Sequence, residues 1–374
     1  MRILLVANKR LPEQDYRMAY RQLSSCAEVV FGLPGRPASL PSSVFVSFDF
    51  GEGMRCRDLL GFWALFRYLC RHRNEYDAVH FFSTKLQLFG PLVAACVGIP
   101  CLTTITGFGR VFNRQTWLYR ILRWPYLMFA EHSLRFSRAT FFQNRGDMEW
   151  LMQRFPRWAP NMYWVGSGVT APVVTEKDFT DGPLRVLLAA RLMPDKGIPV
   201  YLECARKLQG ANIQFRLAGP ASDGQQRLWA DILRAAELGQ IHYLGELSSS
   251  QLAEEYGRCH VFVHPSRGEG MPRVMLEAGH YRLCPIASDI PAHRDLVKPG
   301  CGLLIDAGCE LMSLCEALER FEQNRVECEQ TARQYQQQIV RTYSSRAYAD
   351  RMDTLLQRLF PQSHVEAETV RLAS

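Results

Sequence analysis

The feature that most constrains this chain is a repeated alternation of short apolar runs with longer stretches of helical periodicity. Five runs rich in Val, Ile, Leu and Phe occupy the first half, at 3–7, 27–31, 78–82, 101–105 and 139–143. Six more follow, at 184–190, 213–219, 241–245, 260–264, 284–288 and 302–305. Continuous apolar strands separated by helices are typical of parallel sheets covered on both faces. The sequence therefore predicts an α/β protein with doubly wound sheets.

The alternation stops once, over 166–183, where Gly, Pro, Thr and Asp interrupt any periodicity. At 374 residues the chain is also longer than one hydrophobic core usually supports. We therefore expect two Rossmann-like domains, 1–168 and 169–343, facing each other across a cleft at the carboxyl ends of their strands, where such sheets bind ligands. The amphipathic segment after residue 344 predicts a C-terminal helix, within about 344–374, that packs back onto the first domain.

The charge is unevenly distributed along the chain. Residues 1–170 carry 21 Lys and Arg against 11 Asp and Glu, whereas the remainder carries 23 against 26. The segments 56–73 and 110–138 interleave arginines with aromatic and aliphatic residues. Such helices can lie in a membrane interface, or can pack on the core with a solvated basic rim, and the sequence leaves both open. An anionic membrane surface is the predicted partner; nucleic acid is not, because no nucleic-acid-binding signature is present.

Two further features bear on location. The 12 cysteines include no C-x-x-C pair, which favours reduced thiols in a cytosolic protein over disulfides. The apolar N-terminal run is too short for a signal peptide, and no run reaches the 18 residues of a spanning helix. We therefore expect a cytoplasmic protein, peripheral at the inner face of the cytoplasmic membrane.

The strongest local signal is HPSRGEGMPRVMLEAG, at 264–279. A strand precedes it, a glycine-containing turn follows, and a helix is predicted to start at Pro272 because proline suits the first helical position. Helix amides at such a point bind anions, and the carboxylates of Glu269 and Glu277 can accept hydrogen bonds from vicinal sugar hydroxyls. Acidic residues near a helix start for reasons of the helix dipole are the alternative explanation.

A second signal, ARLMPDKG at 190–197, follows the first strand of the second domain. Arg191 stands at the strand end and Lys196 follows a Pro-Asp turn. A forked guanidinium and a compact ammonium together suit a diphosphate, and they can stabilise the charge that develops on a departing nucleotide. Two solvated basic residues beside a turn are the alternative.

Taken in order, ARLMPDKGI, LAGP (217–220), YLGEL (243–247) and the E-x7-E element GEGMPRVMLEAG resemble the family 4 retaining glycosyltransferases of GT-B fold. The stretches TITGFGRVFNR, FFQNRGDMEWL and WVGSGVT are similar to a narrower branch of bacterial enzymes that extend undecaprenyl-linked surface glycans. The resemblance implies a metal-independent hexosyl or N-acetylhexosaminyl transferase. It also implies a nucleotide-sugar donor, for which the narrower branch favours UDP, and a lipid-linked or saccharide acceptor. No cofactor is expected, because the nucleotide sugar is a substrate.

The resemblance also implies roles for individual residues. Arg191 and Lys196 would hold the diphosphate and, with Glu269, form the catalytic set. Glu277 would bind the ribose. Glu269, with the backbone of Gly270, Met271 and Pro272, would hold the donor sugar. Gly268 and Gly219 would make further contacts with the nucleotide sugar.

Two residues of the first domain concern the acceptor or the donor sugar. Many family members carry a histidine where this chain has Thr106, so the identity of the donor sugar is left open. His80, expected at the end of a strand, is either an acceptor-side group or a structural residue. The same scaffold also occurs with two other functions: a nucleotide-sugar 2-epimerase and a non-catalytic polysaccharide-assembly protein. The presence of both basic residues and both carboxylates argues against each.

Overall fold

The computed structural model describes residues 1–7, 28–33, 45–48, 50, 58–108, 110–113, 117–174, 176–306 and 310–361. They divide into two units. The first is Met1–Gly168 together with the C-terminal segment that begins at Ser345, and the second is Val169–Ser344.

Seven parallel strands form the sheet of the first unit, in the order β3-β2-β1-β4-β5-β6-β7. They are β1 (Arg2–Val6), β2 (Glu28–Leu33), β3 (Phe45–Ser47), β4 (Ala78–Phe82), β5 (Cys101–Ile105), β6 (Ala139–Phe142) and β7 (Met162–Trp164). The helices between them in the described residues are α1 (Asp58–Arg71), α2 (Thr84–Val97), α3 (Arg110–Asn113), α4 (Trp117–Phe136) and α5 (Arg145–Arg154). The strand order reverses between β1 and β4, as in doubly wound sheets.

The second unit contains a six-stranded parallel sheet in the order β10-β9-β8-β11-β12-β13. Its strands are β8 (Leu184–Ala189), β9 (Ile213–Ala218), β10 (His242–Tyr243), β11 (Val261–His264), β12 (Cys284–Ser288) and β13 (Leu303–Ile305). Its helices are α6 (Ile198–Lys207), α7 (Gln226–Glu237), α8 (Ser249–Arg258), α9 (Arg273–His280), α10 (Pro291–Leu296), α11 (Glu310–Gln323) and α12 (Arg325–Tyr343). Here the order reverses between β8 and β11.

The last described helix, α13 (Ser345–Leu359), belongs to the first unit. Alternate residues of β1 point to opposite faces of the sheet. Ile3 and Leu5 pack in one cluster with Met352 of α13, and Leu4 and Val6 pack in another with residues of α1 and α2. Both faces of this sheet are therefore covered, which explains why its strands read as continuous apolar runs.

Every predicted apolar run overlaps a strand, and the two doubly wound sheets confirm the predicted α/β class. The strands β3 and β7 were not predicted, because each is a three-residue edge strand that is only partly buried. Among the described residues, no helix is both long enough and apolar enough to span a bilayer.

Candidate active site

The carboxyl ends of β8 and β11 lie side by side in the second unit, because these parallel strands are hydrogen-bonded neighbours at the reversal of strand order. The loop after β8 carries Arg191 and Lys196, and the loop after β11 carries Glu269. Ligands of doubly wound sheets bind at this kind of point. Residues separated by more than 70 positions in sequence thus share one edge of the sheet.

A short turn, Pro194–Lys196, is fixed against the loop that follows β11. The amide of Arg267 donates to the carbonyl of Asp195 at 2.9 Å, and the Ser266 hydroxyl donates to the same carbonyl at 3.3 Å. The next residue, Gly197, has a φ of +74°, and a Cβ there would lie 2.2 Å from the carbonyl oxygen of Pro265. Only glycine permits this close approach, which orients the preceding Lys196 towards the second loop.

Lys196 and Glu269 form an ion pair of 2.5 Å between Nζ and Oε1. The same Oε1 lies 3.0 Å from Nε2 of His264, the last residue of β11. Burial alone would raise the pKa of Glu269, but the hydrogen bond from His264 and the charge of Lys196 outweigh it and hold the pKa below its usual range. Glu269 is therefore a carboxylate at neutral pH, able to accept hydrogen bonds from a ligand.

His264 was not selected from the sequence as a site residue. The available signal was its position at a strand end, five residues before Glu269. Position alone does not distinguish a site residue from a core histidine, and only the folded loop reveals the hydrogen bond.

The second carboxylate of the motif, Glu277, lies on α9, which begins at Arg273 with Pro272 as its N-cap. The predicted start at Pro272 was therefore one residue early. The hydroxyl of buried Tyr256 lies 3.3 Å from Oε2 of Glu277, and Arg273 lies 4.0 Å from Oε1. Burial raises the pKa of Glu277. The contact with Tyr256 was missed, because nothing in the sequence connects this tyrosine, 21 positions before Glu277, with the carboxylate.

The guanidinium of Arg191 makes no hydrogen bond or ion pair with a described residue and is exposed to solvent. Gly219, at the end of β9, has a φ of +145°, and a Cβ there would lie 1.8 Å from the carbonyl oxygen of Ala190. Its amide donates to the carbonyl of Gly245 at 2.8 Å. Gly219 thus has a packing role in joining the loops at this edge, and its contact with a nucleotide stays a prediction.

The predicted sugar-binding backbone lies between β11 and α9. Gly268, Gly270 and Met271 are partly exposed, whereas Pro272 is buried. Within the described part of the chain, no group of three or more His, Cys, Asp or Glu side chains is arranged to hold a metal ion.

His80 lies in the middle of β4, not at its end, and is fully buried. Its Nε2 lies 2.7 Å from the hydroxyl of Thr104, and its ring packs against Phe82 and Phe141. Burial lowers the pKa of His80 to about 3, so the ring is neutral. This geometry favours the structural role for His80. Thr106 follows β5 and is partly exposed.

Large apolar side chains are exposed on the two basic helices of the first unit. The helices α1 and α4 flank α2, joined by ring contacts of Phe89 with Phe62 at 5.9 Å and with Phe129 at 4.7 Å. We call the following residues the exposed apolar surface: Leu59, Leu60, Trp63, Trp117, Leu118, Ile121, Leu122, Trp124 and Met128. Arg120 is exposed among them, whereas Arg123 donates to the carbonyls of Val111 and Phe112. This arrangement differs from a helix whose apolar residues all face the core.

Comparison with known proteins finds a family match over most of the second unit and the first part of α13. Residues 175–356 match the family described as "Glycosyl transferases group 1". This part of the chain is similar to the group 1 glycosyl transferases. This match confirms the resemblance to glycosyltransferases drawn from the motifs, and the matched segment contains Arg191, Lys196, Glu269 and Glu277.

Two relatives extend the comparison beyond the domain. The UDP-Gal:alpha-D-GlcNAc-diphosphoundecaprenol alpha-1,3-galactosyltransferase of Escherichia coli is 24% identical over 290 residues, which cover 72% of each chain. The N,N'-diacetylbacillosaminyl-diphospho-undecaprenol alpha-1,3-N-acetylgalactosaminyltransferase of Campylobacter jejuni is 24% identical over 216 residues, covering 54% of this chain and 56% of the relative. Among solved structures, Anabaena HepE in complex with UDP is similar, with a TM-score of 0.75 and 17% identity over 96% of this chain and 100% of that one. This likeness confirms the predicted GT-B fold class.

Proposed function

We propose that this chain is a retaining, metal-independent glycosyltransferase. It moves a hexosyl or N-acetylhexosaminyl group from a UDP-sugar to a lipid-linked saccharide acceptor during assembly of a surface polysaccharide or glycan. The observation that carries the proposal is the pairing of Lys196 with Glu269 at the carboxyl edge of the second sheet. An ammonium group that suits a diphosphate thereby lies beside a carboxylate that suits a sugar.

Each end of the donor has proposed partners. Arg191, whose guanidinium is exposed, and Lys196 bind the diphosphate and neutralise the negative charge of the departing UDP. Glu277 accepts hydrogen bonds from the ribose hydroxyls, and the contact with Tyr256 supports this role by fixing one of its oxygens. Glu269 binds the donor sugar.

The remaining donor contacts are proposed for the glycine-containing loops. The backbone of Gly270, Met271 and Pro272 would complete the sugar site, with Gly268 preceding them. Gly219, at the end of β9 beside the backbone of Ala190, would make a further contact with the nucleotide.

Retention follows when the acceptor hydroxyl attacks from the face that the nucleotide leaves. The bond from the anomeric carbon to the phosphate oxygen breaks, the bond to the acceptor oxygen forms, and a phosphate oxygen takes the acceptor's proton. The two relatives are named as forming alpha-1,3 linkages, which supports a similar linkage here. Because side-chain cations neutralise the leaving group in this scheme, it requires no metal.

The acceptor is proposed to be a saccharide on a polyprenyl diphosphate, as the names of both relatives state for their own substrates. A polyprenyl chain stays in the bilayer, so the enzyme must approach the membrane. The exposed apolar surface and exposed Arg120 suit an interface of anionic headgroups and acyl chains. The described cysteines are free thiols, which suits the cytoplasmic face of the membrane.

The direct test offers the purified enzyme a short-chain polyprenyl diphosphate carrying N-acetylhexosamine. UDP-, GDP- and ADP-sugars are supplied one at a time, and mass spectrometry follows addition of one sugar. We expect transfer from a UDP-hexose or UDP-N-acetylhexosamine. Thermal unfolding with the same panel identifies the nucleotide, because a ligand that binds the native state raises the midpoint temperature. Absence of transfer from every donor would refute the proposal.

A further inference from the structure

His264 occupies a position between the core of the second unit and the candidate site. It ends β11, is 2% exposed, and lies 3.0 Å from Glu269 through Nε2. The oxygen it contacts, Oε1, is also the one paired with Lys196 at 2.5 Å. No described residue donates to the other oxygen, Oε2. In the carboxylate of Glu269, Oε1 is therefore fixed by two protein donors, whereas Oε2 is available to accept a hydrogen bond from a ligand.

The imidazole ring of His264 is fixed by its neighbours. It stacks on Phe262 with ring centroids 6.0 Å apart, and His293 meets it edge-on at 5.2 Å. His293 is itself anchored, since its Nδ1 lies 2.7 Å from the carbonyl oxygen of Ser288. Burial lowers the pKa of His293 to about 3, so this ring adds no positive charge beside Lys196. His264 consequently cannot turn away from Glu269 without repacking the core.

The proton of His264 belongs on Nε2. Its Nδ1 is buried and has no hydrogen-bond partner among the described residues. A proton there would leave a buried donor unsatisfied, whereas a proton on Nε2 donates to the carboxylate of Glu269. The histidine thus acts as an oriented hydrogen-bond donor to Oε1 of Glu269.

We propose that His264 is the positioning residue for Glu269 in sugar transfer, an inference that rests on the proposed function. Lys196 must direct N–H donors to the diphosphate once the donor binds, and this weakens its bond to Oε1. His264 then remains as the fixed donor that keeps Oε2 turned towards the sugar. Without His264, the carboxylate of Glu269 would lose its orientation once the donor binds.

The test compares His264→Phe, which keeps a ring but removes the donor, with His264→Gln, whose amide can still donate. We expect His264→Phe to lower kcat by about 10- to 100-fold, the effect of losing one hydrogen bond to a charged group. The affinity for UDP, measured by calorimetry, should stay unchanged. The affinity for the UDP-sugar should fall relative to UDP, and His264→Gln should recover most of the kcat. His242→Phe, at an exposed position on β10, is the matched control and should behave as wild type.

The possible results separate this inference from the proposed function. If the wild-type enzyme transfers sugar and His264→Phe does so equally well, His264 has no positioning role although the function stands. Equal loss of UDP affinity and of kcat would indicate a structural role instead, as would a His264→Gln variant no better than His264→Phe. A wild-type protein that transfers nothing from any donor refutes the proposed function itself.

Discussion

Replacing Lys196 by Ala tests the proposed site most directly. The side chain is 16% exposed and that of Glu269 14%, so water screens this ammonium only partly. Two unit charges about 4 Å apart interact by about 4 kcal/mol at an effective dielectric constant of about 20. At about 1.4 kcal/mol per tenfold change in rate, this sets an upper limit of about 10³-fold on the lost stabilisation of the departing UDP. Because some solvent remains, we expect turnover to fall by about 10²-fold or more.

Stability should change much less than turnover in the same variant. Breaking a fully buried ion pair costs about 3–5 kcal/mol because the remaining charge loses its partner. Here Glu269 keeps the hydrogen bond from His264 and some access to water. We therefore expect the free energy of unfolding to fall by about 1–2 kcal/mol, measured by urea denaturation.

The assay pairs steady-state kinetics on a UDP-sugar with denaturation of the same preparation. Lys207→Ala is the matched control, because Lys207 is an exposed lysine at the end of α6 in the same unit. It should leave both quantities unchanged. Wild-type turnover by Lys196→Ala would refute the diphosphate assignment. Unfolding of the variant at the assay temperature would mean that the main role of the ion pair is to stabilise the native fold.

Three other predictions follow from the same site and from the exposed apolar surface. Glu277→Gln should weaken binding of free UDP, whereas Glu269→Gln should spare it and reduce transfer; equal losses of UDP affinity in calorimetry would contradict this division. Chelation with EDTA should leave turnover unchanged, since side-chain cations neutralise the leaving group in the proposed reaction; a strict Mg²⁺ or Mn²⁺ requirement would show otherwise. Vesicle sedimentation should reveal binding that rises with anionic lipid and falls with salt. The triple change Trp117→Ser, Trp124→Ser, Arg120→Glu should abolish it, and a wild-type protein indifferent to anionic vesicles would refute the membrane proposal.

The fold was largely predictable from the sequence because its strands are buried on both faces. A strand that is buried on both faces of its sheet needs apolar residues at consecutive positions. Each run of this kind in the sequence overlaps a strand of the structure. The edge strands β3 and β7 do not need consecutive apolar residues, since they are only partly buried. His80 illustrates a related limit: a polar residue inside an apolar run suggests a strand end, yet it can lie mid-strand when Thr104 of the neighbouring strand satisfies it.

The sequence predicts which residues make up the candidate site, but it does not predict the hydrogen bonds that hold their side chains in place. Parallel topology alone brings the loops after β8 and β11 to one edge, and the family resemblance implies that Lys196 and Glu269 contact one ligand there. The hydrogen bonds from His264 and Tyr256 depend on the exact path of the loop and on packing between helices. Such contacts join residues that carry no motif of their own, and sequence patterns do not report them.

The division of the chain into two units gives the membrane proposal its physical basis. A nucleotide sugar is soluble and highly charged, whereas a polyprenyl-linked acceptor cannot leave the bilayer. The motifs proposed to bind the donor lie in the unit Val169–Ser344, whereas the basic excess of residues 1–170 and the exposed apolar surface lie in the first unit. If the two substrates are recognised by separate units, loss of membrane binding in the triple variant should leave UDP affinity intact. Transfer to an acceptor in vesicles should then fall, while transfer to a short-chain, detergent-free acceptor should persist.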